Sequence, residues 1–267
     1  MTEDFPKEAI VSTRLSRKGP LIEETFTAFQ TWNLTEPLGK NLTRLQHENP
    51  FGAKSERWLK EVTRTLSSRF RDIPIRPLVR LAQAGCPLDV WKPCLLWHLG
   101  RRDLLYYQFA VNWLDPAYRS GVYSLRTKDL VDFVEKMTAG KLSKSKQISE
   151  YGATRLARDL LMAAERFGLI QGNVTHTFSH CHLPASSFLY IAQAIAETAS
   201  GGRDVIDSSD WRLFLLSPDD VEHEFHELHQ FKKVSIEAAG SLISLKLPAA
   251  TLEAYAEQMS KEKTWNA

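Results

Sequence analysis

A chain of 267 residues, 43% hydrophobic and 25% charged, has the composition of an ordinary globular protein and the length for two or three small domains. No run approaches the ~18–20 uninterrupted apolar residues of a membrane span, and the acidic opening MTEDFPKEAI lacks the apolar core of a secretory signal, so a cytoplasmic protein without membrane association is expected. The formal net charge of +2 conceals an asymmetry: residues 1–175 hold 27 Lys and Arg against 19 Asp and Glu, and residues 176–267 hold 7 against 13, so only the first two thirds favour polyanions.

A basic start over residues 13–18 is closed by Gly19-Pro20, after which LIEETFTAFQTW has helical periodicity, with Leu21, Ile22, Thr25, Phe26, Phe29 and Trp32 on its apolar face. A short helix is predicted over about 40–47, stopped by Asn49-Pro50-Phe51-Gly52. The next helix, predicted over 54–71 and capped by Ser55, places Trp58, Leu59, Val62, Leu66, Phe70 and Ile73 within a sector of roughly 120°. Arg57, Lys60, Arg64 and Arg71 fall opposite. Pro77 suits the first turn of a short helix over 76–84, and Pro87 and Pro93 then punctuate the aromatic block WKPCLLWHLGRRDLLYYQFAVNWL. Trp91, Trp97, Tyr106, Tyr107, Phe109 and Trp113 could stack bases, but their place among leucines at helical spacing reads as the core of a first domain. Cys86, Cys94 and Cys181 form no CxxC pair and read as reduced packing residues.

A helix over 127–137, with Leu130, Val131 and Val134 inward, precedes the basic linker TAGKLSKSKQ, whose Lys141, Lys144 and Lys146 form a basic approach. A short helix near 148–151 and a turn at Gly152 are expected to lead into a second basic helix over 153–167. There Leu156, Leu160, Ala163, Ala164 and Phe167 make the buried stripe, and Arg155, Arg158 and Arg166 the outer face. GLIQGNVTHTFSHCHLP then supplies two short strands, completing the pattern of a winged helix. Strand alternation would put His176, Phe178, His180 and His182 on one face, without the acidic or cysteine partners of a metal site. A helix from 185 to about 199 is followed by the loop SGGRDVIDSSD and by a helix starting at Ser217-Pro218. His223, His226 and His229 are three apart, whereas HExxH needs four, so this is an acidic helix buried through Val221, Phe225 and Leu228. A hairpin around Ala239-Gly240 and a helix over TLEAYAEQM close the chain.

The predicted fold is mainly α: a compact multi-helix protein with two helix-turn-helix-like units, the second carrying a small β wing. Three segments are expected: a helical domain over 1–120 with the first helix-turn-helix, a winged-helix-like domain over 121–200, and an acidic helical region over 201–267 with a small hairpin. One basic helix face is ordinarily solvated surface. Two such faces, each second in a helix-turn-helix layout, point to double-stranded DNA bound mainly through phosphates. Arg57, Lys60, Arg64, Arg71, Lys141, Lys144, Lys146, Arg155, Arg158 and Arg166 are the candidate nucleic-acid-binding residues. The chain has no GxSxG elbow, Walker A loop or strand-borne GxGxxG, so neither catalysis nor a cofactor or metal is expected. The acidic last third leaves open a protein-interaction scaffold, and the aromatic block an RNA-binding regulator.

Three stretches also carry a family resemblance: STRLSRKGPLIEETFTAFQTW, NPFGAKSERWLKEVTRTLSSRF and SKQISEYGATRLARDLLMAAERFGLI together resemble the BrxA proteins of bacteriophage exclusion (BREX) systems. The resemblance implies a mostly α-helical, monomeric, non-enzymatic protein with helix-turn-helix elements beside positive surfaces. It further implies work alongside a DNA methyltransferase and other defence proteins, and an older likening of the family to an RNA-binding antitermination factor.

Overall fold

The computed structural model describes residues 15, 18–71, 73–139, 148–179, 182–239, 242–263 and 265. The fold is mainly α, as the periodicities predict. Helices α1 (Ile22–Gln30), α2 (Leu38–Glu48), α3 (Glu56–Phe70), α4 (Arg76–Gln83), α5 (Leu88–Arg102) and α6 (Leu104–Phe109) lead into a π-helical turn (Ala110–Leu114) and α7 (Asp115–Arg119). After α8 (Thr127–Thr138) and α9 (Glu150–Phe167) comes the antiparallel pair β1 (Ile170–Gly172) and β2 (His176–Phe178). The chain continues through α10 (Ala185–Ala196), α11 (Gly202–Ile206), a 3-10 helix (Ser209–Phe214) and α12 (Pro218–Gln230). The antiparallel strands β3 (Ser235–Ala239) and β4 (Leu242–Lys246) precede α13 (Leu252–Glu262).

The contacts group the chain into two units, each assembled from separated segments, with the division falling inside α5 between Leu95 and Leu96. One unit holds Leu21–Leu95, Leu183–Ser208 and Pro218–Ala267. Its core gathers Phe29, Leu66, Leu78, Trp91, Phe188 and Phe225, all almost fully buried. Trp91 meets Phe26 and Phe29 edge-on, with ring centroids 5.1 and 6.1 Å away, and its indole N–H donates to the Leu78 carbonyl at 2.9 Å. Burial of an indole is compatible with its polar N–H only because that donor finds a partner.

The other unit holds Leu96–His182 and Ser209–Ser217 together with the described residues of the first twenty. Its polar centre is Asp210 on the 3-10 helix, which accepts from the Trp97 indole at 3.2 Å and the Tyr107 hydroxyl at 2.9 Å and pairs with Arg101 at 3.1 Å. The Arg101 guanidinium also lies over the Trp97 ring, 4.8 Å from its centroid. Asp115, buried at the start of α7, takes a two-point ion pair from Arg119 at 2.8 Å.

Several local expectations are corrected. Pro93 lies within α5 rather than at a break, leaving the helix without one N–H at that turn. The loop expected after α10 contains α11 and the 3-10 helix, because Val205, Ile206, Trp211, Leu213 and Phe214 are all buried. Gly152 is not a turn: Ser149 caps α9 by accepting from the Gly152 N–H at 3.2 Å, so the short helix and second helix of the prediction are one continuous element. The second strand ends at Phe178, which undoes the expected alternation: His176 is buried, His182 is exposed, and His180 lies outside the described residues.

The β1–β2 turn depends on Gly172. Its φ of 118° belongs to glycine, and a Cβ there would sit 2.2 Å from the Thr175 carbonyl oxygen. Gly172→Ala is expected to cost about 1–3 kcal/mol by straining this turn. The backbone amides of Leu125 and His176, which bridge to each other's carbonyls at 2.8 and 2.9 Å, should then exchange faster. Unchanged protection at both, with an unchanged melting temperature, would refute this.

Candidate nucleic-acid interface

Two surfaces carry the predicted residues, one in each unit. In the first, α2 ends at Asn49, whose positive φ of 46° reverses the chain. The Asn49 amide oxygen accepts from the Ala53 N–H at 2.9 Å and its amide nitrogen donates to the Ala53 carbonyl at 3.0 Å, so one side chain pins the turn. Ser55 then caps α3 by accepting from the Trp58 N–H at 3.2 Å. Gln46 donates to the Thr63 hydroxyl at 2.7 Å and ties α2 to α3. The buried face of α3 comprises Leu59, Val62, Leu66 and Phe70, as predicted. Trp58 departs from it: it is 42% exposed and stands at the edge of the basic face, while Ile73 lies beyond the helix and is only half-buried.

Arg57, Lys60 and Arg64 are exposed on the outer face of α3, with Arg71 exposed just past its end. Lys60 pairs with Glu56 at 2.6 Å, which holds the Glu56 carboxyl below its ordinary range. Arg69, absent from the predicted face, is buried on the opposite side.

The second surface begins at Leu125, which bridges antiparallel to His176 on β2. The order that follows is α8, α9 and the β1–β2 hairpin, with α8 and α9 packed together. Leu130 and Val134 are buried on α8, Val131 only half-buried. All five predicted stripe residues of α9 are buried, and Arg155, Arg158 and Arg166 are exposed. Tyr151, Thr154, Met162 and Glu165 share that exposed face; a reading for basic residues alone misses them, although the same 100° spacing identifies them. Asp159 is largely buried at the margin, its carboxylate 4.0 Å from Arg155 Nε and 3.9 Å from Arg158 Nε. Beyond α9, Val174 projects from the hairpin tip at 81% exposure. Lys141, Lys144 and Lys146 lie outside the described residues.

The remaining aromatic block does not form a stacking platform. Trp91, Trp97, Tyr106, Tyr107 and Phe109 are buried, as their spacing among leucines predicts, whereas Trp113 is only half-buried and stacks on Phe109 with ring centroids 5.7 Å apart. No helix among the described residues is long and apolar enough to cross a membrane.

Neither the curated proteins nor the solved structures contain a match to this chain. A family model described as BrxA matches residues 11–195, which include both surfaces and stop within α10. With that match running over more than half of its length, the chain belongs to the BrxA family and so to the components of BREX phage-defence systems.

Proposed function

We propose that this protein is a non-enzymatic, monomeric, cytoplasmic component of its defence system that binds double-stranded DNA, chiefly through phosphates. The observation that carries this reading is the succession of a Leu125 bridge, two packed helices and a hairpin, which keeps the last helix and the wing of the predicted winged helix but not its separate short helix, with Arg155, Arg158 and Arg166 on the exposed face of α9. The outer face of α3 supports it, since Arg57, Lys60 and Arg64 are solvent-facing on the second helix of a pinned helix-turn-helix. Cations so presented release counterions on meeting a duplex.

Salt titrations against matched duplex DNA, duplex RNA and single strands test the proposal. The triple variant Arg57→Gln, Lys60→Gln, Arg64→Gln is expected to weaken duplex binding for unrelated sequences alike, and to shallow the slope of log affinity against log salt by about 0.9 for each phosphate that is no longer neutralised. Glutamine is preferred to glutamate at 155 and 158, where an acid would face the Asp159 carboxylate with like charge. Folding should survive, because surface substitutions of this kind usually cost within about 0.5 kcal/mol each. If this variant and its Arg155→Gln, Arg158→Gln, Arg166→Gln counterpart both keep wild-type affinity and slope, the faces are solvated surface.

A second reading, a scaffold for other defence proteins, is favoured by the exposed Tyr118, Tyr123 and Val174 of the same unit and by the absence of Lys or Arg from the β1–β2 hairpin.

A further inference from the structure

The two basic helices differ in a way that phosphate binding does not explain. α3 carries Arg57, Lys60, Arg64 and Arg69 against Glu56 and Glu61, an excess of positive charge. α9 carries Arg155, Arg158 and Arg166 against Glu150, Asp159 and Glu165, and is neutral as a whole. Long-range attraction to a polyanion follows net charge, so α9 contributes less to it than α3 even where its arginines meet phosphates. Hydrogen bonds made in a particular direction do not depend on net charge, and α9 presents several donors on one face.

Tyr151, Thr154, Arg155 and Arg158 recur at the spacing of one helix face, and all four are exposed. Tyr151 is 76% exposed, a large apolar surface that phosphate contact does not need. The Asp159 carboxylate, 9% exposed, lies 4.0 Å from Arg155 Nε and 3.9 Å from Arg158 Nε, ion pairs longer than hydrogen bonds that leave the arginine side chains 54% and 67% exposed. An exposed guanidinium offers a planar fork of donors that matches the two acceptors on the major-groove edge of guanine. A threonine methyl and a tyrosine ring suit the thymine methyl and its neighbours. The first turn of α9 is close-built: a Cβ at Gly152 would come within 2.9 Å of Ile148 Cγ1, so glycine lets Ile148, just before the Ser149 cap, fold against the helix start. From 151 to 158 the helix rises roughly 10 Å, the height of about three stacked base pairs.

We infer that the outer face of α9 reads base edges in the major groove through Tyr151, Thr154, Arg155 and Arg158, so that this protein recognises a short, guanine-containing duplex sequence, with α3 supplying sequence-independent affinity. The inference rests on the duplex-binding reading above and adds specificity to it. The occupant of this face is the DNA major groove, whose width admits one helix and whose guanine acceptors complement the two exposed arginines.

The experiment is selection from a randomised DNA duplex library with the full-length protein, at low and at moderate salt, followed by sequencing of the retained pool. Wild type is expected to enrich a motif with about three adjacent fixed base pairs, at least one of them guanine-cytosine. Arg158→Ala and, separately, Thr154→Ala should each relax discrimination at one position, by about ten- to a hundredfold for the arginine. Arg57→Gln, Lys60→Gln, Arg64→Gln should lower retention of every sequence and leave the motif intact. Both α9 variants replace exposed side chains, and matching melting temperatures confirm that they fold. Salt-dependent retention without sequence enrichment overturns base reading and leaves duplex binding standing. No retention of duplex at either salt overturns both.

Discussion

Asp210→Ala should cost about 3–5 kcal/mol of folding stability, the effect of stranding a buried charge whose partner has been removed. The Arg101 side chain is only 13% exposed beside an Asp210 that is 9% exposed, so water cannot replace the lost carboxylate. The Trp97 indole loses its acceptor in the same substitution, and the Tyr107 hydroxyl loses Asp210 while keeping Ser209 Oγ at 2.8 Å. Burial, with the nearby Asp210 charge second, already pushes the Tyr107 hydroxyl well above the ordinary tyrosine range, so it stays protonated and remains a donor. Asp210→Asn keeps an acceptor for one of the two donors and should cost less than the alanine. Urea unfolding of wild type and both variants gives the comparison, and an Asp210→Ala protein within about 1 kcal/mol of wild type would show that the network contributes little.

Lowering the pH from about 6.5 should destabilise the protein through His98. Burial first, and the charge of Arg101 second, bring its pKa down to about 3 from an ordinary 6.5. Between those two values the unfolded chain takes up a proton that the folded protein refuses. The contribution of neutral His98 is therefore fully present above pH 6.5 and is lost as the pH falls toward 3, at about 1.4 kcal/mol per pH unit where the difference is complete. Ordinary carboxylates titrate in the lower part of the same window, so the informative quantity is the difference between wild type and His98→Gln. The variant should show a shallower loss of stability between pH 6.5 and 5, whereas parallel curves would mean that His98 is not the group responsible.

Hydrophobic periodicity identifies both basic helices because each packs one stripe against its own unit. Leu59, Val62, Leu66 and Phe70 on α3, and Leu156, Leu160, Ala163, Ala164 and Phe167 on α9, all face inward. Periodicity is weaker at the margins of a stripe, which is why it assigns Trp58 to the interior and passes over Tyr151. Local turn chemistry misleads at Gly152, where a residue that often ends helices instead occupies a crowded first turn. Pro93 is a similar case within α5: proline disfavours a helix interior without forbidding it when the surrounding residues, among them Trp91, Cys94 and Leu95, are buried. What spacing along the chain cannot express is pairing at a distance. The bridge from Leu125 to His176 and the meeting of Asp210 with Trp97, Arg101 and Tyr107 appear only when the helices and strands are assembled.

The segment 209–217 has a consequence for the order in which this protein matures. Tyr107 and Trp97 find Asp210 across 103 and 113 positions of sequence. At a synthesis rate of about 5–20 residues per second, Arg101 is made roughly 5–20 s before its counter-ion. During that interval the nascent unit has a guanidinium that it cannot bury, and its interior must stay open to water or to a chaperone. A fragment ending before residue 209 would remain in that condition permanently, so a DNA-binding assay on an isolated amino-terminal piece would report on a chain that has not completed its core.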